Sequence, residues 1–156
     1  MTGSDSNAKQ YALKLLSYKG RSEREIEERL RKKGVSSEVI SSTMHYLKDA
    51  GFIDDRLLAE ALKREALTHR MLSRAGARHF ILRRGIPRRI VDSIFRDSED
   101  TDRENALRLA DKKLRILGRY PRDVAKRRLY NLLLRRGYSS GMIIKVLQEK
   151  MGKEEV

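Results

Sequence analysis

The sequence predicts an all-α protein made of three tandem three-helix repeats that form an elongated or curved body. Three observations support this fold class: an internal repeat aligned on three glycines, apolar residues spaced three and four positions apart, and a scarcity of helix-breaking proline. Only two prolines occur among 156 residues, and the ten glycines stand singly. Repeats of this kind contact mainly their neighbours, which favours an extended array over a globule.

The repeat is anchored on Gly34, Gly85 and Gly137, at offsets of 51 and 52 residues. An apolar residue stands four positions before each glycine, and a basic pair comes directly before it. A largely apolar pattern resumes five and six positions after the glycine and continues at nine and ten. These spacings place the apolar residues on one helical face, so each glycine separates two amphipathic helices. The basic pairs are Lys32-Lys33, Arg83-Arg84 and Arg135-Arg136.

Helix start and stop signals agree with this division. Ser22 and Glu25 form a capping-box pattern before the helix that ends at Lys33. A glycine just past a helix can adopt the left-handed conformation that closes it. Each repeat is therefore expected to contain a tight helix-turn-helix. The residues at the expected starts of the next helices, as caps or a first-turn proline, are Ser36, Pro87 and Ser139.

A further helix is expected before each pair, with Asp54 and Asp55 capping the second of these helices. The predicted bounds of the three helices are about 8–19, 55–70 and 103–117. The chain then divides into a disordered tail at 1–7, repeats at 8–53, 54–100 and 101–150, and a C-terminal tail at 151–156.

The acidic stretch from Asp97 to Asp102 separates the second and third repeats. One interpretation is a flexible joint. The other is the acid-rich start of a helix, which the positive end of the helix dipole favours equally. Both interpretations stay open at this point.

Composition indicates a basic protein without a membrane segment. Lysine and arginine number 36 against 22 acidic residues, giving a net charge of +14, and such chains tend to associate with nucleic acid. No run of 18 apolar residues and no signal peptide is present. The absence of cysteine fits a reducing cytoplasm. We therefore expect a cytoplasmic protein. We also expect a monomer, because the sequence contains no long heptad array of the kind that forms a coiled-coil dimer.

The residues form no pattern that is typical of catalysis or of cofactor and metal binding. A phosphate-binding glycine-rich loop is absent, and the three histidines lack the spacing of a helical zinc site. Asp54-Asp55 is the one acidic pair near a turn that suggests acid–base chemistry, and helix capping explains it better. We expect a non-enzymatic protein without a cofactor.

The last third of the chain is the most basic, and residues 71–96 of the middle repeat hold seven arginines against a single acid. Because arginine can pair bidentately with phosphate oxygens, we predict a surface that binds DNA or an acidic partner. The helix dipole explains the basic pairs equally well, but it does not explain the other arginines of the middle repeat. Base reading is disfavoured, because the helix after each glycine lacks polar residues suited to base edges. The contact candidates are Arg74, Arg78, Arg83, Arg84, Arg88, Arg89, Lys126, Arg127, Arg128, Arg135 and Arg136, with Tyr130 and Tyr138 expected close to the last group.

Several segments resemble the RecX family of regulatory proteins. The segment from Tyr46 to Ala59, YLKDAGFIDDRLLA, is similar to a family motif of leucine, glycine, an aromatic, an aliphatic, two aspartates and a downstream alanine. It departs from the family at Leu57-Leu58, where an arginine-phenylalanine pair is commoner. Residues 11–26 and 129–138 are similar to the first and last repeats of the family. Together the pieces cover about residues 8–148.

The resemblance implies a regulator that lies in the helical groove of the RecA filament on single- or double-stranded DNA. There it would limit filament growth and depress ATP hydrolysis, strand exchange and the co-protease activity that triggers the SOS response. The alternative is a stand-alone basic helical-repeat protein that binds DNA and affects RecA only through competition for the strand.

Overall fold

The computed structural model describes residues 3–96 and 98–152. Within these ranges it contains nine α-helices and no strand, which confirms the all-α prediction. A π-helical turn, Glu65–His69, continues the fourth helix. The helices are α1 Gly3–Tyr18, α2 Glu23–Lys32, α3 Ser37–Asp49, α4 Asp55–Arg64, α5 Arg74–Arg83, α6 Arg88–Phe95, α7 Asp102–Leu117, α8 Arg122–Arg135 and α9 Ser140–Met151.

Helix α1 begins earlier than the sequence predicts. It starts at Gly3 rather than at residue 8, so residues 3–7 of the predicted tail are helical. Asp5 lies in the first turn, where a carboxylate interacts favourably with the positive end of the helix dipole. Residues 1, 2 and 153–156, where the rest of both predicted tails lies, are outside the described residues.

The predicted capping signals are confirmed. The Ser22 hydroxyl accepts the Glu25 amide at 3.1 Å, and the Glu25 carboxylate accepts the Ser22 amide at 2.9 Å, which completes the capping box. The hydroxyls of Ser36 and Ser139 cap α3 and α9 by accepting the amides of Val39 and Met142. All three repeat glycines adopt the left-handed conformation, with φ of +85° for Gly34, +85° for Gly85 and +95° for Gly137.

Two aspartates have roles that the sequence only partly predicts. Asp54 caps α4, accepting the amides of Arg56 and Leu57 at 3.1 Å each. Asp55 instead accepts the amide of Glu23, the first residue of α2, at 3.0 Å. Each carboxylate therefore satisfies helix N-terminal amides, but Asp55 does so for a helix of the preceding repeat.

Asp102 repeats the role of Asp55 in the last repeat. Its carboxylate accepts the amide of Arg74, the first residue of α5, at 2.6 Å. Burial raises the pKa of both Asp55 and Asp102 above the ordinary value, although the amide hydrogen bonds oppose the shift. The end of the acidic stretch is therefore a capping segment. Asp97 is outside the described residues, and the flexible joint stays a prediction.

The chain forms two compact units. The first contains residues up to Leu62 together with Ile81–Arg96, and the second contains Lys63–Phe80 together with the residues after Arg96. In the first unit, α1 packs against α2 and α3, and in the second, α7 packs against α8 and α9. The helices of the middle repeat are shared between the units, and the predicted repeat boundaries stay a prediction. The apolar core of the first unit includes Ala12, Ile26, Leu30, Met44 and Leu47, and that of the second includes Leu109, Leu129, Leu133, Ile143 and Val146.

A buried serine joins adjacent repeats in the first unit. Ser22 is completely buried, and its hydroxyl donates to the carbonyl of Arg84 at 2.5 Å while accepting the Glu25 amide. One hydroxyl therefore caps the start of α2 and also satisfies a carbonyl at the end of α5, where four carbonyls lack helical partners.

The second unit contains the same junction. Ser73 is completely buried, and its hydroxyl donates to the carbonyl of Gly137 at 2.8 Å and accepts the Gly76 amide at 2.9 Å. Its own amide donates to the carbonyl of Arg136 at 3.0 Å. Both serines stand twelve positions before the glycine of their own repeat (22 and 34, 73 and 85). The third repeat has Ala125 at this position, inside the longer helix α8.

The glycine turns differ in how closely other residues approach them. A Cβ on Gly137 would lie 2.6 Å from the Ser73 Oγ and 2.9 Å from the Gly76 Cα. A Cβ on Gly34 would meet nothing within 4 Å. The left-handed backbone is therefore the only reason for a glycine at Gly34. At Gly137 the close packing of the junction is a second reason, because it leaves no room for a side chain.

An ion pair reinforces the junction in the first unit. The Arg84 guanidinium lies 3.0 Å from the Glu25 carboxylate and donates to the Gly20 carbonyl at 2.9 Å. Both charged side chains are largely shielded, with 21% of Arg84 and 24% of Glu25 exposed. Partial burial alone would raise the pKa of Glu25, but the hydrogen bonds from Arg84 and from the Ser22 amide hold it below its ordinary value.

Replacing Gly137 with alanine is expected to lower the free energy of unfolding by about 3 kcal/mol, because left-handed strain and overpacking add together. The matched control, Gly34→Ala, introduces only the strain and is expected to cost about 1 kcal/mol. Urea unfolding of both variants measures the difference. Equal losses would show that the junction does not pack against Gly137.

Glu25→Gln is expected to cost about 2 kcal/mol of unfolding free energy at neutral pH, because it leaves the shielded Arg84 without its carboxylate. A carboxyl with a lowered folded-state pKa stabilises the fold above its unfolded pKa of about 4.3, and this contribution is lost as the pH falls through the folded value. The difference between wild type and variant should therefore shrink in acid.

The control for this substitution is Glu28→Gln, which removes the exposed partner of Arg24. It is expected to cost at most about 0.5 kcal/mol, because solvent screens exposed pairs. Equal losses at the two positions, or a loss at Glu25 that does not change with pH, would contradict the assigned role.

Candidate functional site

The structure divides the eleven predicted contact cations between the two units. Four lie in the first unit and seven in the second. Six of the eleven are exposed, and these come from both units. Arg83, Arg88 and Arg89 are the exposed members in the first unit, and Arg127, Arg128 and Arg135 are those in the second.

In the two arginine pairs, the second arginine contributes to a junction between repeats. Arg84 is paired with Glu25, and Arg136 donates to the carbonyl of Arg70. The first members, Arg83 and Arg135, are exposed at the last positions of α5 and α8. Within each pair, the first arginine is therefore the one available to a partner, and its position also complements the helix dipole.

Arg74 and Arg78 are only partly exposed. The guanidinium of Arg74 donates to the Ser98 carbonyl at 3.0 Å, and its amide is bound by Asp102. Arg74 therefore helps to hold the segment before α7 against the start of α5. Lys126 is also partly exposed, and it precedes the exposed pair Arg127-Arg128 on α8.

The two tyrosines expected beside the C-terminal cations belong to the core instead. Tyr138 is 2% exposed, and its hydroxyl donates to the Met71 carbonyl at 2.6 Å. Burial raises the pKa of Tyr138 far above its ordinary value. Tyr130 packs against the same apolar core. Both rings therefore contribute to the apolar core, Tyr130 from α8 and Tyr138 from the turn that follows it.

A different tyrosine accompanies the exposed cations. The Arg128 guanidinium lies 4.4 Å from the centre of the Tyr120 ring, and that of Arg119 lies 5.1 Å from it. Arg119 also donates to the Tyr120 hydroxyl at 3.3 Å, and this hydrogen bond, with the nearby charges, lowers the pKa of Tyr120. The ring thus holds two guanidinium groups close together.

The exposed cations also include a row on α7 that lies outside the predicted contact candidates. Arg108, Lys112 and Arg115 stand four and three positions apart, which places them on one helical face, and Arg119 follows four positions later. All four side chains are exposed. The spacing is visible in the sequence, but the intervening Asp111 and Lys113 obscure it when charge is only counted along the chain.

Neither a metal-binding cluster nor a membrane-spanning helix is found among the described residues. Across residues 3–96 and 98–152, no cluster of three or more His, Cys, Asp or Glu side chains could hold a metal ion. No helix in the same ranges is both long enough and apolar enough to span a bilayer.

Comparison with known proteins identifies the chain's relatives. Models of the first and third three-helix domains of RecX match residues 8–47 and 100–147. The regulatory protein RecX of Chlorobaculum tepidum is 30% identical over 97% of this chain and 93% of its own length. That of Streptomyces coelicolor is 28% identical over 94% of this chain and 79% of its own length.

Solved structures show the same fold. The crystal structure of RecX from Lactobacillus salivarius superposes with a TM-score of 0.73 at 23% identity, covering 96% of this chain and 97% of that one. Another RecX crystal structure superposes with a TM-score of 0.69 at 22% identity. Two RecX domain models and a relative that is 30% identical match nearly the whole chain between them. The chain therefore belongs to the RecX family of regulatory proteins.

Proposed function

We propose that this chain is a cytoplasmic, non-enzymatic regulator of the recombinase RecA that binds the RecA–DNA filament. There it limits filament growth and lowers ATP hydrolysis, strand exchange and co-protease activity. The observation that carries the proposal is the match to regulatory proteins named RecX over 97% of the chain.

The distribution of exposed charge supports a contact with the filament. Three exposed arginines of the first unit, Arg83, Arg88 and Arg89, lie within seven residues around the α5–α6 turn. Further exposed arginines lie on α8 in the second unit. Several weak ionic contacts carried by one chain raise each other's effective concentration, so the whole binds more tightly than any single contact.

A stand-alone DNA-binding protein is the second candidate function, because a net charge of +14 favours any polyanion. The two functions differ in stoichiometry. A filament regulator acts at a small fraction of the amount that coats the DNA, whereas a competitor acts only near saturation.

The test is ATP hydrolysis by preformed RecA filaments on single-stranded DNA, with this protein titrated in at substoichiometric amounts. We expect the rate to fall well before the DNA is saturated. A rate that falls only when the strand is coated would support the second candidate and contradict the first.

The triple reversal Arg83→Glu, Arg88→Glu and Arg89→Glu is expected to raise the half-inhibitory concentration at least about tenfold. Three exposed ionic contacts of about 0.5 kcal/mol each account for a change of this size. Inhibition of RecA ATP hydrolysis by the variant and the wild type measures the effect.

The matched control reverses three exposed cations of the same unit, Lys14, Arg29 and Lys32, and therefore changes the net charge equally. It should inhibit nearly as well as the wild type. Equal weakening in both variants would mean that inhibition depends on net charge rather than on the α5–α6 turn.

A further inference from the structure

Four exposed cations of the second unit lie outside the predicted set, three of them on α7 and one in the turn after it. Among the described residues, no carboxylate forms an ion pair with Arg108, Lys112, Arg115 or Arg119. Neighbouring cations of this unit are neutralised, since Arg103 pairs with Glu149 at 2.7 Å and Lys150 with Asp111 at 2.9 Å. We call Arg108, Lys112, Arg115 and Arg119 the α7 stripe.

The helix dipole does not explain the α7 stripe. It favours a cation in the last turn of α7, where only Arg115 lies. Arg108 and Lys112 stand in the middle of the helix, where the dipole has little effect. Arg108, Lys112 and Arg115 are exposed like charges at successive turns of α7 and repel one another, so the arrangement costs stability unless an anion neutralises it.

Part of the stripe lines a cleft. A cavity of about 490 Å³ lies against α7 and is lined by Arg108, Lys112, Arg115, Thr68 and His69, with Met71 and Asp111 completing it. The one lining carboxylate, Asp111, is already paired with Lys150. The cleft therefore presents three cations and no uncompensated acid to whatever enters it.

Arg108 is held in position at this cleft. Its guanidinium donates to the Asn105 side chain at 3.3 Å and to the Thr68 carbonyl at 3.4 Å. Asn105 is 4% exposed and donates in turn to the Leu67 carbonyl at 3.1 Å. A cation fixed in this way loses less side-chain entropy when it binds an anion.

At the other end of the stripe, Arg119 and Arg128 flank the Tyr120 ring. Guanidinium planes and tyrosine rings are surfaces on which unpaired bases stack, and a row of cations follows the backbone of a strand. An open cleft lined by cations, with stacking groups beyond the end of α7, fits a single strand, because the bases of a duplex are already stacked on one another.

We propose that the α7 stripe, with Tyr120 and Arg128, is a binding track for the phosphate backbone of single-stranded nucleic acid. This inference rests on the proposed function, because it names the DNA-contacting surface of the same regulator. It assigns that contact to residues outside the predicted set, Arg128 excepted.

The test is fluorescence anisotropy of a labelled oligothymidylate with the full chain, measured over a series of salt concentrations. Each phosphate contact on a single strand contributes about 0.7 to the slope of log affinity against log salt. The triple variant Arg108→Gln, Lys112→Gln and Arg115→Gln should therefore lower the magnitude of this slope by about 2.

The control is Lys14→Gln, Arg29→Gln and Lys32→Gln, which removes the same charge from exposed positions on α1 and α2. It should leave the slope nearly unchanged. An unchanged slope in the stripe variant, or an equal fall in the control, overturns the proposal.

A second variant protects the test against misfolding, because Arg108 also binds Thr68. Arg115→Gln with Arg119→Gln avoids Arg108 and should lower the slope by about 1.4, the value for two contacts. Tyr120→Leu should weaken binding severalfold with little change in slope, because it removes stacking rather than charge. Wild-type affinity in both variants contradicts the proposal.

Three further measurements separate the possible outcomes. Duplex DNA that binds more tightly than the oligothymidylate, with the same loss in the stripe variant, would overturn the single-strand assignment. Displacement of the oligothymidylate by polyglutamate of equal charge would indicate an acidic protein partner and overturn the proposal. Stripe-dependent strand binding by a wild-type chain that leaves RecA ATP hydrolysis unchanged would support the stripe while contradicting the proposed function.

Discussion

The repeat architecture depends on one constraint: a buried serine hydroxyl must both donate a hydrogen bond and accept one. Ser22 and Ser73 meet it by accepting an amide of their own helix and donating to a carbonyl of the glycine turn in the next repeat. An unpaired buried hydroxyl would cost about 1–3 kcal/mol, so the turn and the helix start must stay in register. Asp55 and Asp102 reinforce this register. Asp55 accepts the first amide of α2, which Ser22 caps, and Asp102 accepts the first amide of α5, which Ser73 caps.

This constraint also decides which arginine of each arginine pair stays exposed. The turn that receives the serine carries a basic pair, and its second arginine is recruited by the junction, through Glu25 for Arg84 and through the Arg70 carbonyl for Arg136. Its first arginine stays exposed. Each of these arginine pairs therefore contains one arginine that the junction holds and one that stays exposed. Within the described residues, Arg108 is hydrogen-bonded to Asn105 and Thr68 and Arg119 to Tyr120, but no member of the α7 stripe forms an ion pair. This difference makes the stripe the stronger candidate for an anion contact.

Most of the fold was predictable from the sequence, because glycine turns and apolar spacing follow from local physics. The caps at Ser22, Ser36, Asp54 and Ser139 and the three left-handed glycines are confirmed. The cross-repeat roles of Ser73, Asp55 and Asp102 were not predictable, since they depend on which residues become neighbours in three dimensions. The burial of Tyr138 was not predictable for the same reason, because it depends on which residues pack around the ring. The contact candidates themselves stay a prediction.

The claim that the serine hydroxyl holds adjacent repeats together is tested most directly by native-state hydrogen exchange of Ser73→Ala. The account predicts that the amides of Gly76, Gly137 and Tyr138 lose protection together, because one hydroxyl serves both the start of α5 and the turn after α8. The Glu25 amide, capped by Ser22 in the other unit, should keep its protection. Faster exchange confined to Gly76 would show that Ser73 is only a local helix cap, and it would contradict the account.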